Sequence, residues 1–388
     1  MCHLKLLIIT DLYPDQFNAI GGIFVKHQVQ ELQKHYDVYV FATHMLDFKT
    51  EQVLSEASSK EYHHYSRLFR HLFLFNAIKY WFLVIPPLKK AIKRIKPDII
   101  HVHDCRHVPE LINLAPLLRK TMIPHYLTLH NIITHPDRIN NVLLRRIYSI
   151  LMPYAFNGWK HIFCVNKHLM KQVASCSQAR NISVIGNAIS SFSYTSDPII
   201  NEVASFMEGA KFKIISAGNL KASKGFDLLI EAISRISKEA KDIRLAIFGD
   251  GDQRIILNRL IIENGMQNKI RCFGSIENNL LRNMYSMFDA FILPSYSETF
   301  GIVYLEAMSA GIVAAGVRGQ GIDGVIKHRE NGILIDPKSR TSIETQINWL
   351  MEHPVEAKHI AEAGKASVES EYRMDQLCSR IRSVYEKR

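Results

Sequence analysis

Two glutamates eight residues apart, Glu298 and Glu306, lie on either side of a predicted helix start. The apolar run 290–293 before them predicts a buried strand, and residues 294–297 predict its exit loop. A helix beginning near Thr299 would point free backbone N–H groups beyond the carboxyl end of the strand, where they form an anion site. Glu298 then lies at the mouth of this site, and Glu306 lies about two turns farther along the helix, at about 1.5 Å per residue. This spacing suits a ligand with a phosphate in its middle and hydroxyls at both ends, as in a nucleotide-sugar.

Both glutamates also have a plain structural interpretation, in which Glu298 caps the helix and Glu306 is a solvated helix residue. The surroundings of Glu306 favour ligand binding, because the other residues of 304–308 are mostly apolar. An acid in an apolar setting is costly unless something binds it.

Residues 294–308 resemble the E-x7-E signature of the retaining glycosyltransferases of family 4, and the strand, loop and helix around the signature are predicted as well. In that family the first glutamate and the amides after it hold the donor sugar and its phosphate, and the second glutamate holds the ribose. The resemblance implies a catalytic role for Glu298 and ribose binding by Glu306. The amides that it places on the phosphate belong to Thr299, Phe300 and Gly301.

A second glycine-containing loop, residues 217–227, follows a predicted strand and opens a helix. A lysine at such a junction can neutralise a diphosphate while Gly218 lets the chain approach closely, although a surface lysine is the default interpretation. The loop is similar to the donor loop of the family, in which an arginine and a lysine five residues apart clamp the diphosphate. Lys224 matches the lysine and is expected to be catalytic, whereas Asn219 stands at the arginine position and is expected to bind the donor. Because this departure removes one fixed cation, Lys221 or a group of the first domain is the expected substitute.

Two further turns of the second half resemble donor-binding segments of the family. The turn 248–252, with Gly249, is similar to the second glycine turn, although a tight turn with an aspartate capping the next helix is sufficient to explain it. Residues 272–275 match the strand end beside the nucleotide base, which assigns Ser275 to the donor. Gly321 is a further glycine for which close backbone approach and a structural turn are both open.

The first half of the chain matches the family more sparsely. Gly21 and Gly22 join the first predicted strand to its helix and are similar to the glycine pair of the family, whose amides approach the donor phosphate and the acceptor. They form no G-x-G-x-x-G fingerprint, which argues against a nicotinamide enzyme. His130 ends a predicted strand where the family places a sugar-contacting histidine, so the resemblance implies a catalytic contact, with a structural role as the alternative.

A histidine-rich strand end superficially resembles a metal site, because His101, His103 and His107 have Asp104 and Cys105 among them. Zinc sites with such tight spacing need a further remote ligand. The resemblance implies no metal, since the lysine and the helix N-terminus replace it. We expect no metal and no cofactor besides the donor substrate, and we place His103 and Asp104 on the acceptor side.

Composition limits the class of protein. A length of 388 residues suits two domains, and an apolar content of 47% is ample for packed cores. The apolar run 6–9 is too short for a secretory signal. The six cysteines form no C-x-x-C pair, which predicts a reduced, cytoplasmic protein without structural zinc.

The formal net charge of +11 belongs to the first half. Residues 1–190 hold 23 lysines and arginines against 12 acids, and residues 191–388 hold 25 against 25. A basic face suits nucleic acid, an anionic membrane surface or a pyrophosphate-linked acceptor, and no nucleic-acid-binding signature supports the first. The segment 65–96 mixes aromatics with many cations. It is predicted either to lie peripherally on the cytoplasmic face of the inner membrane or to pack its aromatics inward as an ordinary domain helix.

Short apolar strands alternate with helical stretches along both halves, which predicts parallel, doubly wound sheets. We expect an acceptor-side domain at 1–190, a polar linker at 191–208 and a donor domain at 209–369. Residues 370–388 are expected to form a helix that crosses back to the first domain. With the resemblance, this implies the GT-B architecture, an α/β fold with two Rossmann-like domains facing across a cleft.

Together these features predict a retaining, metal-independent hexosyltransferase that uses a UDP- or GDP-sugar. The expected acceptor is a hydroxyl of a glycan or of a polyprenyl-linked sugar, in cell-surface polysaccharide biosynthesis. No side chain is placed as a covalent nucleophile, so leaving-group stabilisation is the expected mechanism. A non-hydrolysing nucleotide-sugar epimerase, which needs no acceptor, is one alternative. A non-enzymatic nucleotide- or membrane-binding module is the other, and the apolar setting of Glu306 argues against it.

Overall fold

The chain folds into two compact units. The computed structural model describes residues 3–17, 21–45, 55–57, 60–66, 78, 80–104, 108–131, 142–238 and 242–387. Unit 1 comprises Met1–Gly186 and Met374–Arg388, and unit 2 comprises Asn187–Arg373.

Unit 1 is built on an eight-stranded sheet in the order β3-β4-β2-β1-β5-β6-β7-β8. Its strands are β1 Lys5–Thr10, β2 Asp37–Met45, β3 Ser55–Ala57, β4 Glu61–Ser66, β5 Ile99–Asp104, β6 His125–Leu129, β7 His161–Cys164 and β8 Ile182–Val184. Neighbouring strands are parallel, except that β3 is antiparallel to β4. Its described helices are Ile23–Leu32, Ile85–Ile95, Val108–Arg119, Val142–Phe156, Lys167–Cys176 and Met374–Glu386.

The central strands of unit 1 are apolar and buried, as expected for a parallel sheet covered on both faces. Strand β1 is buried from Leu6 onward, and all of β6 is buried. The register pairs Thr10 with His103 and His103 with Thr128. The carboxyl ends of β1, β5 and β6 therefore lie side by side, at the edge where doubly wound sheets bind ligands.

Unit 2 repeats the scheme with a six-stranded parallel sheet in the order β11-β10-β9-β12-β13-β14. Its strands are β9 Phe212–Ala217, β10 Ile243–Phe248, β11 Ile270–Gly274, β12 Ala290–Ile292, β13 Val313–Val317 and β14 Ile333–Ile335. Its described helices are Pro198–Met207, Phe226–Lys238, Arg254–Glu263, Asn278–Met284, Ile302–Ser309, Arg340–Glu352 and Pro354–Glu371. The two parallel, helix-covered sheets confirm the predicted α/β class.

The start of unit 2 differs from the expected linker at 191–208. Helix Pro198–Met207 lies inside that stretch and belongs to unit 2. The Asp197 carboxylate accepts a hydrogen bond from the Ile199 N–H at 2.9 Å, and Pro198 occupies the first helical turn. The Asp-Pro pair that suggested a linker is therefore a helix start.

The last helix, Met374–Glu386, belongs to unit 1. The Tyr385 ring packs edge-on against Tyr36 with centroids 5.9 Å apart, and Cys378 Sγ lies 3.8 Å from the Gln28 carbonyl oxygen. The chain thus leaves unit 1 after Gly186 and returns to it at Met374, where it forms the last helix of that unit.

Candidate active site

The loop between strand β12 and the following helix shapes the candidate site of unit 2. That helix spans Ile302–Ser309 and begins three residues later than the start predicted near Thr299. Gly301 has a φ of +79°, and a Cβ there would lie 2.5 Å from the Tyr304 ring. This left-handed glycine delays the helix, so Thr299 and Phe300 precede its first turn.

The turn after strand β13 holds the Glu298 loop in place. The Glu298 N–H donates to Gln320 Oε1 at 3.1 Å, and the Glu298 carbonyl accepts from the Gly321 N–H at 3.0 Å. A Cβ at Gly321 would lie 1.8 Å from the Thr299 carbonyl oxygen, so this glycine permits close approach of two backbone segments. Sequence reasoning missed Gln320, because a glutamine in a turn carries no local signal of a partner 22 residues away.

The two predicted catalytic residues of unit 2 lie together. Lys224 Nζ is 2.5 Å from Glu298 Oε2, and their side chains are 19% and 14% exposed. Gly225 follows Lys224 with a φ of +70°, and a Cβ at Gly225 would lie 2.5 Å from the Pro294 carbonyl oxygen. This close approach between the donor loop and the strand exit places the cation beside the carboxylate. An ammonium group has three N–H donors, so Lys224 keeps two for an anionic ligand while it binds Glu298.

The position where the family has an arginine is open to solvent. Asn219 and Lys221 are both exposed on the donor loop, and the Lys221 N–H donates to the Asn219 carbonyl at 2.8 Å. The exposure of Lys221 leaves its ammonium group able to reach an anionic ligand.

Among the remaining glycines that we predicted on the donor side of unit 2, Gly249 is required by backbone packing. The Gly218 N–H donates to the Phe248 carbonyl at 3.0 Å, and a Cβ at Gly249 would lie 1.9 Å from the Gly218 carbonyl oxygen. The Gly249 N–H donates in turn to the Gly274 carbonyl at 2.8 Å, and Ser275 follows as an exposed residue. Three neighbouring strand ends are thereby held together.

The expected aspartate cap after β10 was wrong. Helix Arg254–Glu263 begins after Gln253 and has no side-chain cap. Asp250 instead accepts a hydrogen bond from the Gly251 N–H at 2.8 Å and pairs with Arg254 at 2.9 Å.

Glu306 is a buried carboxylate with one oxygen bonded. It is 6% exposed, and its Oε1 accepts a hydrogen bond from Asn278 Nδ2 at 3.0 Å. Within the described residues, Oε2 has no hydrogen-bond partner. Burial raises the pKa of Glu306, opposed by the Asn278 bond and by the charge of Arg282. Because a buried acceptor without a donor is costly, this oxygen is suited to a ligand that supplies a hydroxyl.

Asn278 and Arg282 are functional candidates that sequence reasoning missed. They lie four residues apart on helix Asn278–Met284, which places them on one face. Arg282 is buried, donates to the Ser190 carbonyl at 2.9 Å and lies 4.1 Å from the centroid of the Phe192 ring. The spacing of an amide and a cation on one face of a helix was the only signal that the sequence offered for these two residues.

In unit 1, Gly22 opens helix Ile23–Leu32 from a position that only glycine fits. Its φ is +76°, and a Cβ there would lie 2.3 Å from the Leu12 carbonyl carbon. Gly21 precedes it in the same turn. The loop after β1 and the start of this helix are thus pressed together at the carboxyl edge of the sheet.

His103 and His130 form a buried pair at the same edge. His103 Nδ1 lies 3.1 Å from His130 Nε2, and the two rings are inclined by 18° with centroids 5.4 Å apart. The His130 ring also contacts Phe24, with centroids 4.7 Å apart. Burial lowers the pKa of His130 to about 3 and holds the pKa of His103 well below its usual value, so both rings are neutral near pH 7. A neutral imidazole donates and accepts one hydrogen bond each, which suits a sugar hydroxyl.

The remaining residues of the histidine-rich strand end are either bonded to neighbouring side chains or lie outside the described residues. His101 bonds the Tyr385 hydroxyl and, at 2.7 Å, Thr128 Oγ1. Asp104 is the last residue of β5, and Cys105 and His107 lie outside the described residues. In the part of the chain that is described, no group of three or more His, Cys, Asp or Glu residues could hold a metal ion.

The aromatic and basic segment 65–96 divides between core and surface. Tyr65 and Tyr80 are buried, whereas Trp81 is 46% and Phe82 is 70% exposed. Lys89 Nζ lies 5.7 Å from the Trp81 ring centroid. Residues 67–77 and 79 lie outside the described residues. Among the helices that the structure describes, none is long and apolar enough to cross a membrane.

Family models match the chain in two consecutive parts. Glycosyltransferase Family 4 matches residues 21–191, and Glycosyl transferases group 1 matches residues 201–367. An uncharacterized glycosyltransferase of Methanocaldococcus jannaschii is 27% identical over 300 residues, 75% of each chain. A phosphatidylinositol N-acetylglucosaminyltransferase subunit of Homo sapiens is 27% identical over 263 residues, 67% of this chain and 51% of that protein.

Solved structures show the same fold across the whole chain. Sucrose-phosphate synthase from Thermosynechococcus elongatus aligns with a TM-score of 0.76 at 16% identity, over 99% of this chain and 98% of that one. Anabaena HepE in complex with UDP aligns with a TM-score of 0.73 at 15% identity, over 99% and 100%. The chain therefore belongs to the family 4-type glycosyltransferases with the GT-B fold, which confirms the resemblance seen in residues 294–308. These matches support neither the epimerase nor the non-enzymatic module.

Proposed function

We propose that the protein is a retaining glycosyltransferase that moves a hexose from a nucleotide diphosphate to a hydroxyl of a glycan or lipid-linked acceptor. The observation that carries the donor assignment is Glu306, a buried carboxylate whose Oε2 has no partner among the described residues. A ribose offers two adjacent hydroxyl donors to such an oxygen. Structures of the same fold hold UDP or UDP-glucose, as in Anabaena HepE, which supports a nucleotide-sugar donor.

The proposal divides the donor among groups of unit 2. Glu306 accepts from the ribose, Glu298 contacts the sugar, and Lys224 binds the diphosphate with the amides of 299–301 and of the first helical turn. Gly218, Asn219, Gly249 and Ser275 complete the donor surface. The 2.5 Å contact between Lys224 and Glu298 supports this division, because a cation suited to phosphate and a carboxylate suited to sugar hydroxyls lie side by side.

The chemistry follows from fixed positive charge. The bond between the anomeric carbon and the diphosphate oxygen breaks, and the acceptor oxygen bonds to the same face of that carbon. The acceptor proton passes to the departing diphosphate. Lys224 and the helix that begins after Gly301 stabilise the negative charge that develops on the leaving group, so the step needs no divalent metal. Glu298 is already engaged with Lys224, which suits a binding role better than covalent attack.

We assign unit 1 to the acceptor and to one sugar contact. His130 and the Gly21–Gly22 turn contact the sugar and its phosphate, and His103 and Asp104 belong to the acceptor side. The name of the human relative includes phosphatidylinositol, a membrane lipid, and the exposed Trp81 and Phe82 beside cations suit a lipid surface. We therefore propose that the enzyme acts at an anionic membrane surface, in the synthesis of cell-surface polysaccharides.

The first test is a thermal-shift screen of UDP- and GDP-sugars with the full chain. A ligand that binds only the folded state raises the unfolding temperature by mass action. We expect one nucleotide series to stabilise the protein and Glu306→Gln to lose that response. Transfer to a lipid or glycan acceptor pool then follows with the stabilising donor. No stabilisation by any nucleotide-sugar would overturn the donor assignment.

A further inference from the structure

The histidine pair of unit 1 has two outer nitrogens without partners. His103 Nδ1 and His130 Nε2 face each other at 3.1 Å. Among the described residues, His103 Nε2 and His130 Nδ1 have no hydrogen-bond partner. His103 is 1% exposed and His130 is 8% exposed. Since buried polar atoms are normally bonded, two unpaired nitrogens on one pair need an explanation.

The tautomer of one ring determines the tautomer of the other. Both rings are neutral, because burial lowers the pKa of each, and two neutral imidazoles carry two N–H groups on four nitrogens. The bond between the rings uses one N–H. If His103 donates through Nδ1, His130 must carry its proton on Nδ1 and is a donor there. If His130 donates through Nε2, its Nδ1 is a bare acceptor and His103 carries its proton on Nε2.

Burial favours the first arrangement. An unpaired N–H donor costs more free energy than an unpaired nitrogen acceptor, so the N–H is expected where a ligand or water can accept its hydrogen bond. Both unpaired nitrogens are themselves buried. The first arrangement places the N–H on His130, whose residue has the larger exposed fraction and whose ring contacts Phe24 on the helix that Gly22 opens. The second would place it on His103, whose ring is almost completely buried.

The ring of His103 is itself held in place. It stacks on His101 with centroids 4.5 Å apart, and His101 bonds Thr128 Oγ1 at 2.7 Å and the Tyr385 hydroxyl. His103 therefore contacts two rings, since it stacks on His101 and bonds His130 through Nδ1. The last helix, which carries Tyr385, supports the arrangement from within unit 1.

We propose that His103 is a positioning residue that holds His130 in the tautomer with its proton on Nδ1. His130 then presents a neutral hydrogen-bond donor to an oxygen of the sugar substrate. The identity of this ligand rests on the proposed function, whereas the tautomer does not.

The tautomer is measured without substrate. The full chain is labelled with ¹⁵N-histidine, and long-range ¹H–¹⁵N correlations report which ring nitrogen carries the proton. His103→Gln and His130→Gln identify the two signals. We expect a protonated Nδ1 and a bare Nε2 on His130, and we expect His103→Gln to convert His130 to a mixture of tautomers. A proton on His130 Nε2 in the parent protein, or an unchanged His130 in the variant, overturns the proposal.

Two amide variants separate positioning from packing. In His103→Asn the side-chain amide reaches the place of Nδ1 and can still donate to His130, whereas the amide of His103→Gln reaches the place of Nε2. We expect His103→Asn to retain kcat within about threefold and His103→Gln to lose about tenfold, the effect of one lost hydrogen bond. His125→Gln, a buried histidine at the start of β6 whose Nδ1 faces the Ile123 carbonyl, is the matched control. Equal losses of kcat in both His103 variants would mean a packing role only.

Discussion

The two candidate sites occupy the same edge of two similar sheets but differ in charge. At the carboxyl edge of unit 2, Lys224 pairs with Glu298 and Glu306 keeps one oxygen unbonded among the described residues. At the carboxyl edge of unit 1, His103 and His130 are neutral, because burial lowers their pKa values. Strand order decides where functional groups lie, and burial decides which protonation state they hold.

The comparison also separates surface charge from site charge. The half of the sequence with a net charge of +11 contains the neutral site, and the half with equal numbers of acids and bases contains the charged site. A charged site is suited to a leaving group on which negative charge develops. A neutral histidine pair can instead form hydrogen bonds with sugar hydroxyls without adding charge to the site. The positive surface of unit 1 therefore needs an explanation other than its site.

Lys224→Ala tests the charged site most severely. Removing the cation that we place on the leaving group should lower kcat about 10²–10³-fold, the range for losing one preorganised electrostatic contact. Lys221→Ala, on the same loop, should lower kcat far less than Lys224→Ala. Lys211→Ala, an exposed lysine just before β9 in the same unit, is the matched control and should change kcat little. A larger loss of kcat in Lys221→Ala than in Lys224→Ala would mean that Lys221 binds the diphosphate in place of the arginine that the family has at position 219.

The same assay decides whether a metal supplies the positive field. We expect transfer to continue in excess EDTA, because Lys224 and the helix beginning at Ile302 provide fixed positive charge. Activity that disappears in EDTA and returns with magnesium or manganese would contradict this mechanism.

Glu306→Gln should weaken binding and strengthen the fold. Loss of hydrogen bonds to a charged group should cost roughly 1.5–3 kcal/mol of nucleotide affinity, measured by calorimetry with UDP and GDP. Because burial raises the pKa of Glu306, the ionised carboxylate destabilises the fold, and this cost appears as the pH rises above the ordinary value of 4.5. The variant should therefore unfold at a higher temperature than the parent at neutral pH, and the difference should vanish in acid. Glu263→Gln, an exposed glutamate of the same unit, should change neither quantity.

The neutral site should make unit 1 sensitive to acid. The pKa of His130 is lowered from 6.5 to about 3, so the unfolded chain binds a proton that the folded chain refuses between these values. Stability is complete above the unfolded pKa and is lost as the pH falls, by about 1.4 kcal/mol per pH unit for each such group. His130→Gln should reduce the slope by one proton, measured by hydrogen exchange of the β5 and β6 amides from neutral pH into acid. An unchanged slope would show that His130 is protonated in the folded protein.

Local patterns were enough to predict most of the sheets and the segment around Glu298. Buried strands such as β1 and β12 are continuous apolar runs, and the segment 294–308 is a contiguous motif, so both are visible without tertiary information. Strands β3 and β4 were not predicted, because β4 has the sequence EYHHYS, which has no apolar run and lies towards the edge of the sheet.

The contacts that complete the sites could not be predicted, because they join residues distant in sequence. Lys224 and Glu298 are 74 residues apart, and Asn278 and Glu306 are 28 apart. A single residue also shifted a boundary: Gly301 in a left-handed conformation moved the helix start from the expected Thr299 to Ile302. Protonation depends on burial, which a sequence pattern shows only indirectly.

The smallest expected effect per residue concerns the positive surface of unit 1. Helix Ile85–Ile95 buries Leu88 and Ala91 and exposes four cations, Lys89, Lys90, Lys93 and Arg94. Trp81 and Phe82 are exposed just before it, as suits a bilayer interface. Each cation near an anionic membrane contributes about 1 kcal/mol, and salt screens the attraction beyond about 10 Å.

Liposome flotation of the full chain measures this surface directly. We expect binding to anionic vesicles, little binding to neutral ones, and release at high salt. Replacing the four cations of the helix with glutamine should abolish flotation and leave donor hydrolysis intact. The matched control replaces four other exposed cations of unit 1, Lys160, Lys167, Lys171 and Arg180, and removes the same charge from a different surface. Equal loss in both variants would mean that net charge alone drives binding. Equal flotation of the parent and the helix variant would refute the docking surface and indicate a soluble acceptor.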